Sequence, residues 1–455
     1  MNNTRDELVT APMGKLFVKL ALPGVVGMVA IGLYQLVDAI FVGNMVGKEA
    51  LAAISIVYPL TLINTGISVL FGVGSASVLS RAMGAKDNET VSKIFGNLTI
   101  WVFLLSIITM LLFFFFAEPL VRFMGAEDEL IVTHGTNYLK IIALGSIFVN
   151  FAQASNMLIR GEGRMKEAML IMGLGTVLNI FLDPICIKVL GWGIQGAAIA
   201  TIFSQFVMAI MCIVYFKSGT SNIPSKKIKL DSKITPEVLA VGVSAMFMQV
   251  MSLIQQAVMY KTIAVYGGGD ELAVMGAAIR LMAFAFIPVW GISQGFQPVV
   301  GMNYGAKKYD RVKKAYGFFT GVGSIFTGVA WICFMIFPKG MLGWFIKDQA
   351  LIESGYPYVR EMLALFVCMS YFIMSVTLFQ ATGKASKASF TIISRQVVFF
   401  VPLVLILPRF MGMDGIALAT PIADALVCVI SLFMILGTFR EMKKLSSLDV
   451  EAIAT

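Results

Sequence analysis

"MGAKDNETVSKIFG" at residues 83–96 and "YGAKKYDRVKKAYG" at residues 304–317 match in register at Gly, Ala, Lys, Val, Lys and Gly. A second pair, "GIQGAAIAT" (193–201) and "GMDGIALAT" (412–420), recurs at the same separation of about 220 residues. A period this long is not that of a solenoid, whose units run to some 20–50 residues. It marks a chain built from two copies of one large unit.

The flanks say what the unit is made of. The chain has 455 residues, of which 58% are hydrophobic and 13% charged, with a mean hydropathy of +0.85. An ordinary soluble domain is about one quarter charged, so the solvent for most of this chain is lipid. Apolar segments of spanning length fall at about 15–42, 51–80, 94–117, 137–160, 167–190 and 194–216, and again at 236–265, 272–300, 314–337, 355–381, 388–409 and 414–438. Six spans separate the two copies. Six is an even number, so both copies run the same way across the membrane. The expected fold is an all-α integral membrane protein with twelve transmembrane helices in two six-helix lobes related by an internal repeat. The N-terminal lobe is expected over 1–216, a cytoplasmic linker over 217–235, the C-terminal lobe over 236–440 and a cytoplasmic tail over 441–455. Two parallel bundles with a cleft between them is a transporter plan; a duplicated channel or structural protein is the other architecture the pattern allows.

Charge sets the orientation. Lys and Arg number about 23 in the tails and loops on the side of the N-terminus, against about six (Lys48, Arg122, Lys188, Lys339, Lys347, Arg409) on the other. The positive-inside rule then puts both termini in the cytoplasm. The same loops account for the net charge of +9, and no basic run interleaved with aromatics points to nucleic acid as a partner. The first 14 residues are polar and no small-residue cleavage site follows, which reads as a retained first helix. The five cysteines lie singly in apolar segments and read as small core residues. His134, the single histidine, is expected in a polar loop on the surface. "GNMVGK" (43–48) has the wrong spacing for a phosphate loop, and "GVGSAS" (72–77) lies within a span, where small residues let helices pack closely. Without an ATP site, transport would be driven by an ion gradient, with no cofactor. No nucleophile arrangement argues for an enzyme.

Two carboxylates interrupt the spans of the N-terminal half. Asp38 lies in "GLYQLVDAIFVG" (32–43) and Asp183 in "GTVLNIFLDPICI" (175–187). An acid at the centre of a membrane helix costs roughly 2.5–3.5 kcal/mol on insertion scales, so each marks a candidate site. At helical rise both sit roughly 8–11 Å inside the outer end, and Thr201 falls at a similar depth on the next helix. Tyr138 opens the fourth span on the same side. Tyr34 precedes Asp38 by four residues and Asn179 precedes Asp183 by four, so each pair shares a helix face. Pro184 withdraws a backbone donor and can free a carbonyl. Tyr34, Asp38, Tyr138, Asn179, Asp183 and Thr201 together offer oxygen ligands, which suit a proton or a hard cation such as sodium. Separate polar residues tied to their own helix backbones are the competing reading.

The chain resembles the multidrug and toxic compound extrusion (MATE) family, most closely its DNA-damage-inducible (DinF) branch. The resemblance covers nearly the whole chain: twelve spans, two lobes, the "GAK" loop after spans two and eight, and the oxygen cluster just described. It implies a cation site at Tyr34, Asp38, Asn179, Asp183 and Thr201, with Tyr138 nearby and sodium, if it is the ion, held by Asp38, Asn179, Asp183 and Thr201. It also implies a hinge at Pro23 and a substrate cavity including Asn156, Met172, Tyr34 and Asp38. The implied function is secondary active antiport in a bacterial inner membrane. Organic, often cationic and lipophilic compounds would leave in exchange for protons or sodium ions, and a monomer would do the work. Export of a specific endogenous metabolite or a lipid-linked precursor is the alternative. The acids that another branch places on spans seven and ten are missing here, where span seven offers Gln249, Gln255 and Gln256. In the C-terminal lobe Asp424 is the one deep acid. Depth alone allows it to pair with Arg280, while Arg395 is a further cation within the spans.

Overall fold

In the computed structural model the backbone is described for residues 2–224 and 230–454, and the side chains for these residues except 2, 3, 34–45, 48 and 449–454. A polar helix, α1 (Asn2–Thr10), precedes the first span. That span begins at Met13, passes through a π-helical turn (Phe17–Ala21) and continues as α2 (Leu22–Met45). There follow α3 (Lys48–Ala85), α4 (Asn88–Phe115), α5 (Glu129–Gly161), α6 (Met165–Pro184) and α7 (Gly193–Lys217). The second half comprises α8 (Ile234–Tyr266), α9 (Gly269–Gly305), α10 (Tyr309–Ile336), α11 (Gln349–Met362), α12 (Met369–Ala381), α13 (Ala385–Ile393), α14 (Phe400–Ile406) and α15 (Met413–Ala454). No strand forms among the described residues. Among the described residues eleven helical segments are long and apolar enough to cross a bilayer. The α11 and α12 pair, bent by 40°, supplies a twelfth.

That bend shows how a membrane interior tolerates broken backbone. Between α11 and α12 the carbonyls of Ala364 and Val367 are released. The Trp331 indole donates to Ala364 O at 2.7 Å and the Thr327 hydroxyl to Val367 O at 3.0 Å. Both donors stand on α10, so the neighbouring helix replaces the lost helical bonds where water cannot.

The repeat read in the sequence is present in the backbone. Lys86 and Lys307 are the only non-glycine residues with positive φ among those described, at 62° and 58°. Each ends its helix in the left-handed region. The Asp87 N–H returns to Ala82 O, and the Lys308 N–H to Asn303 O. These are the same six-residue closing bond, which satisfies end carbonyls. The "GAK" stretches are therefore equivalent helix stops.

The chain divides into two compact units, one of Met1–Leu8 with Val26–Met246, the other of Val9–Val25 with Phe247–Thr455. The first span therefore changes unit after Val25, two residues past Pro23. Before that point it packs in the second unit, where a Cβ added to Gly24 would stand 2.6 Å from the Gly291 carbonyl oxygen. Beyond it, Gly27 lies against Met169 in the first. α8 changes unit in the same way after Met246. Its opening turns pack in the first unit so tightly that a Cβ on Gly242 would fall 1.8 Å from Leu70 O. Glycine lets helix backbones approach this closely, and the 72–77 glycines serve likewise, Gly72 against Met157 and Gly74 against Val238.

Two expectations need correction. His134 is not in a loop but within the second turn of α5, because Asp128 caps that helix by accepting from the N–H groups of Leu130 and Ile131 and so starts it early. Asp424 does not pair with Arg280, which is exposed; its partner is Arg395, with Nε 2.7 Å from Oδ1. The segment after 440 continues α15 as helix to Ala454.

Candidate functional site

α6 sorts its residues by face. Leu170, Leu174, Val177 and Phe181 are exposed, between 49% and 65%, and follow the helical period along one side. Gly175, Asn179 and Asp183 are buried on the other. This is the inverse of a soluble amphipathic helix: polar groups face the protein because lipid cannot satisfy them. Asn179 Nδ2 donates to Asp183 Oδ1 at 3.0 Å, the i,i+4 pair expected from spacing. Asp183 is fully buried and Asn179 nearly so, and both have further interactions.

Immediately after Asp183 the helix changes character. Pro184 lacks the N–H that would meet Ile180 O, and residues Ile185–Val189 continue as a π-helical turn closed by Leu190 N–H to Ile185 O at 2.9 Å. Such widened turns concentrate at functional sites. The turn is gripped by the start of α7, where a Cβ on Gly196 would lie 2.6 Å from Cys186 O. Thr201 stands five residues further on, its hydroxyl donating to Ala197 O at 3.0 Å. That bond uses the proton and leaves the oxygen's lone pairs available as a cation ligand. Tyr138 packs against Ala50, Ala53 and Ile194.

Asn156 is buried on α5 and its Nδ2 donates to Ala168 O at 2.7 Å, while its Oδ1 has no partner. Met172 is half-buried on α6. Pro23 is the second residue of α2, directly after the π-helical turn. The side chains of Tyr34 and Asp38 lie outside the described residues, so the structure places only their helix.

Two polar groups at the end of α5 escaped the sequence reading. Arg160 is 5% exposed and its Nε has no partner. Glu162 caps the helix, fully buried, accepting from the Tyr215 hydroxyl at 2.5 Å and from the Ser221 hydroxyl. Burial pushes its carboxyl up to about 7 against these bonds and the nearby Arg164 charge. The signal was the stretch "IRGEGR" (159–164), which a charge count absorbs as one more basic loop.

In the second unit, Arg395 and Asp424 are both buried, and the guanidinium also lies 5.0 Å over the Phe372 ring. Arg395 belongs to a π-helical turn, Ser394–Phe399, and Asp424 to α15.

Comparison with known proteins gives this arrangement its family. The MatE family model matches twice, at residues 23–185 and 244–406. The chain is 27% identical over 435 residues to the multidrug export protein MepA of Staphylococcus aureus (strain N315), covering 95% of each protein. It is 26% identical over 430 residues to a FAD transporter of Shewanella oneidensis, covering 93% of this chain and 94% of the relative. Among solved structures, a MATE crystal structure in the bent conformation superposes with a TM-score of 0.91 at 25% identity, over 98% of this chain and 99% of the other. A repeated family match spanning most of both halves, twelve spans and this superposition together establish that the chain belongs to the MATE family of membrane transporters.

Proposed function

We propose that the protein is a secondary active exporter of organic, often cationic and lipophilic compounds, coupled to inward movement of protons or sodium ions through Asp183, Asn179, Thr201 and Tyr138 together with Tyr34 and Asp38. The observation that carries this reading is the fully buried Asp183 bonded to Asn179 at the point where α6 opens into a π-helical turn. Binding of a proton, or of sodium, changes the charge at Asp183 and so changes which packing of the surrounding helices is preferred. Pro23 and the π-helical turn before it allow the first span to take up that change. The substrate occupies the cavity side of α5 and α6, at Asn156 and Met172. Both termini face the cytoplasm of a bacterial inner membrane, and the working unit is a monomer.

The MepA relative, named for multidrug export, supports the substrate class. The FAD transporter relative supports the second reading, export of a specific endogenous metabolite. Purified protein reconstituted in liposomes decides between ions and between readings. Efflux of a cationic dye and of FAD is followed under separately imposed pH and sodium gradients. Asp183→Asn keeps the shape and removes the charge; gradient-driven efflux is expected to collapse while folding is retained. Unchanged efflux in Asp183→Asn refutes the coupling role.

A further inference from the structure

Two guanidinium groups are buried in the spans, and they differ in one respect. Arg395 has its carboxylate, Asp424, at 2.7 Å, and a ring beneath it. Arg160, 5% exposed, has no acid paired with it among the described residues, and its buried Nε has no hydrogen-bond partner. A buried charge without a counter-charge is strongly unfavourable, and buried polar groups are almost always satisfied. The local acids are committed elsewhere. Glu162 accepts from Tyr215 and Ser221, and Glu167 pairs with Arg164 at 3.2 Å.

We propose that Arg160 is the anchor of an oxyanion site that takes a phosphate group at this end of the first unit. The guanidinium is a planar fork of five donors whose geometry matches phosphate. Arg164, four residues on, adds a second buried Nε without a partner. The site lies in the last turn of α5, on the end of the spans that carries the lysine-rich loops, which is the level of headgroup phosphates in that leaflet. The turn after it is covered by α1, since a Cβ on Gly163 would stand 3.1 Å from Leu8 and 3.5 Å from Thr4. The phosphate is therefore either free in the cytosol or carried by a lipid. This inference is independent of the coupling ion.

The test is ligand-dependent thermal unfolding of the purified full chain in detergent. Sodium phosphate is titrated against sodium chloride at matched ionic strength, and in parallel phosphatidylglycerol is added to the micelles. Wild type is expected to unfold several degrees higher, saturably, with one or both probes, since a ligand that binds only the folded state stabilises it. A response to sodium phosphate identifies a free anion. A response to phosphatidylglycerol alone identifies a lipid. Arg160→Gln is expected to abolish the response, and Lys347→Gln, on the opposite side, to leave it intact. Should Arg160→Gln not fold, Arg160→Lys keeps the charge and loses the fork, and should raise the half-saturating concentration about tenfold. If neither probe stabilises wild type, or if the Arg160 variants respond as wild type does, Arg160 is held by water alone and the site does not exist.

Discussion

Asp424→Asn tests whether the second unit depends on its buried ion pair. The pair is short, 2.7 Å, with side chains 5% and 8% exposed. Losing a hydrogen bond between charged groups costs about 1.5–3 kcal/mol. Stranding the remaining buried charge brings the cost of breaking a pair from one side to about 3–5 kcal/mol. Phe372 offsets part of this, because its ring lies 5.0 Å from the guanidinium carbon, and a desolvated cation–ring contact contributes up to about 2 kcal/mol. The expected destabilisation is therefore near the lower bound, about 3 kcal/mol. Denaturant unfolding in detergent measures it, with membrane abundance as a second readout. Arg395→Met combined with Asp424→Leu replaces both charges with apolar groups and should recover at least half of the loss, because the desolvation penalty disappears with the charges. Arg280→Gln should change nothing in this cycle. Protein that survives Asp424→Asn should keep the ion dependence of its efflux. The reasoning fails if Asp424→Asn is as stable as wild type, or if the double variant is no more stable than the single one.

Glu162 makes stability depend on pH. Its carboxyl is raised from 4.5 to about 7 in the fold, so the folded state holds the proton more firmly than the unfolded state. The contribution is complete below pH 4.5 and is lost as pH rises through 7, about 3 kcal/mol from the size of the shift. Thermal unfolding at pH 5 and pH 8 should show this loss in wild type and a flatter profile in Glu162→Gln; equal profiles would refute it. Orientation is checked by labelling intact cells with an impermeant thiol reagent. A cysteine introduced at Lys347 should react and one at Lys86 should not, and the reverse result inverts the topology.

What was legible in the sequence was whatever depends on distance along the chain. Spans follow from runs of apolar residues. The "GAK" repeat carries through to matching left-handed stops at Lys86 and Lys307 because a helix end is built from six consecutive residues. The Asn179–Asp183 bond was legible for the same reason, since both groups lie on one helix a turn apart. Tertiary structure decided whatever depends on how a helix is rotated about its axis. Depth along a span pointed to Arg280 as the partner of Asp424; the packing of the Ser394–Phe399 turn against α15 gives it Arg395 instead. The same holds for Arg160, whose position marks it as one more basic residue beside a loop but whose burial leaves it without a partner. The change of unit after Val25 and after Met246 lies inside continuous helices. No composition shift marks it, because a helix that leaves one set of neighbours for another needs only a glycine at each close approach, as at Gly24 and Gly242.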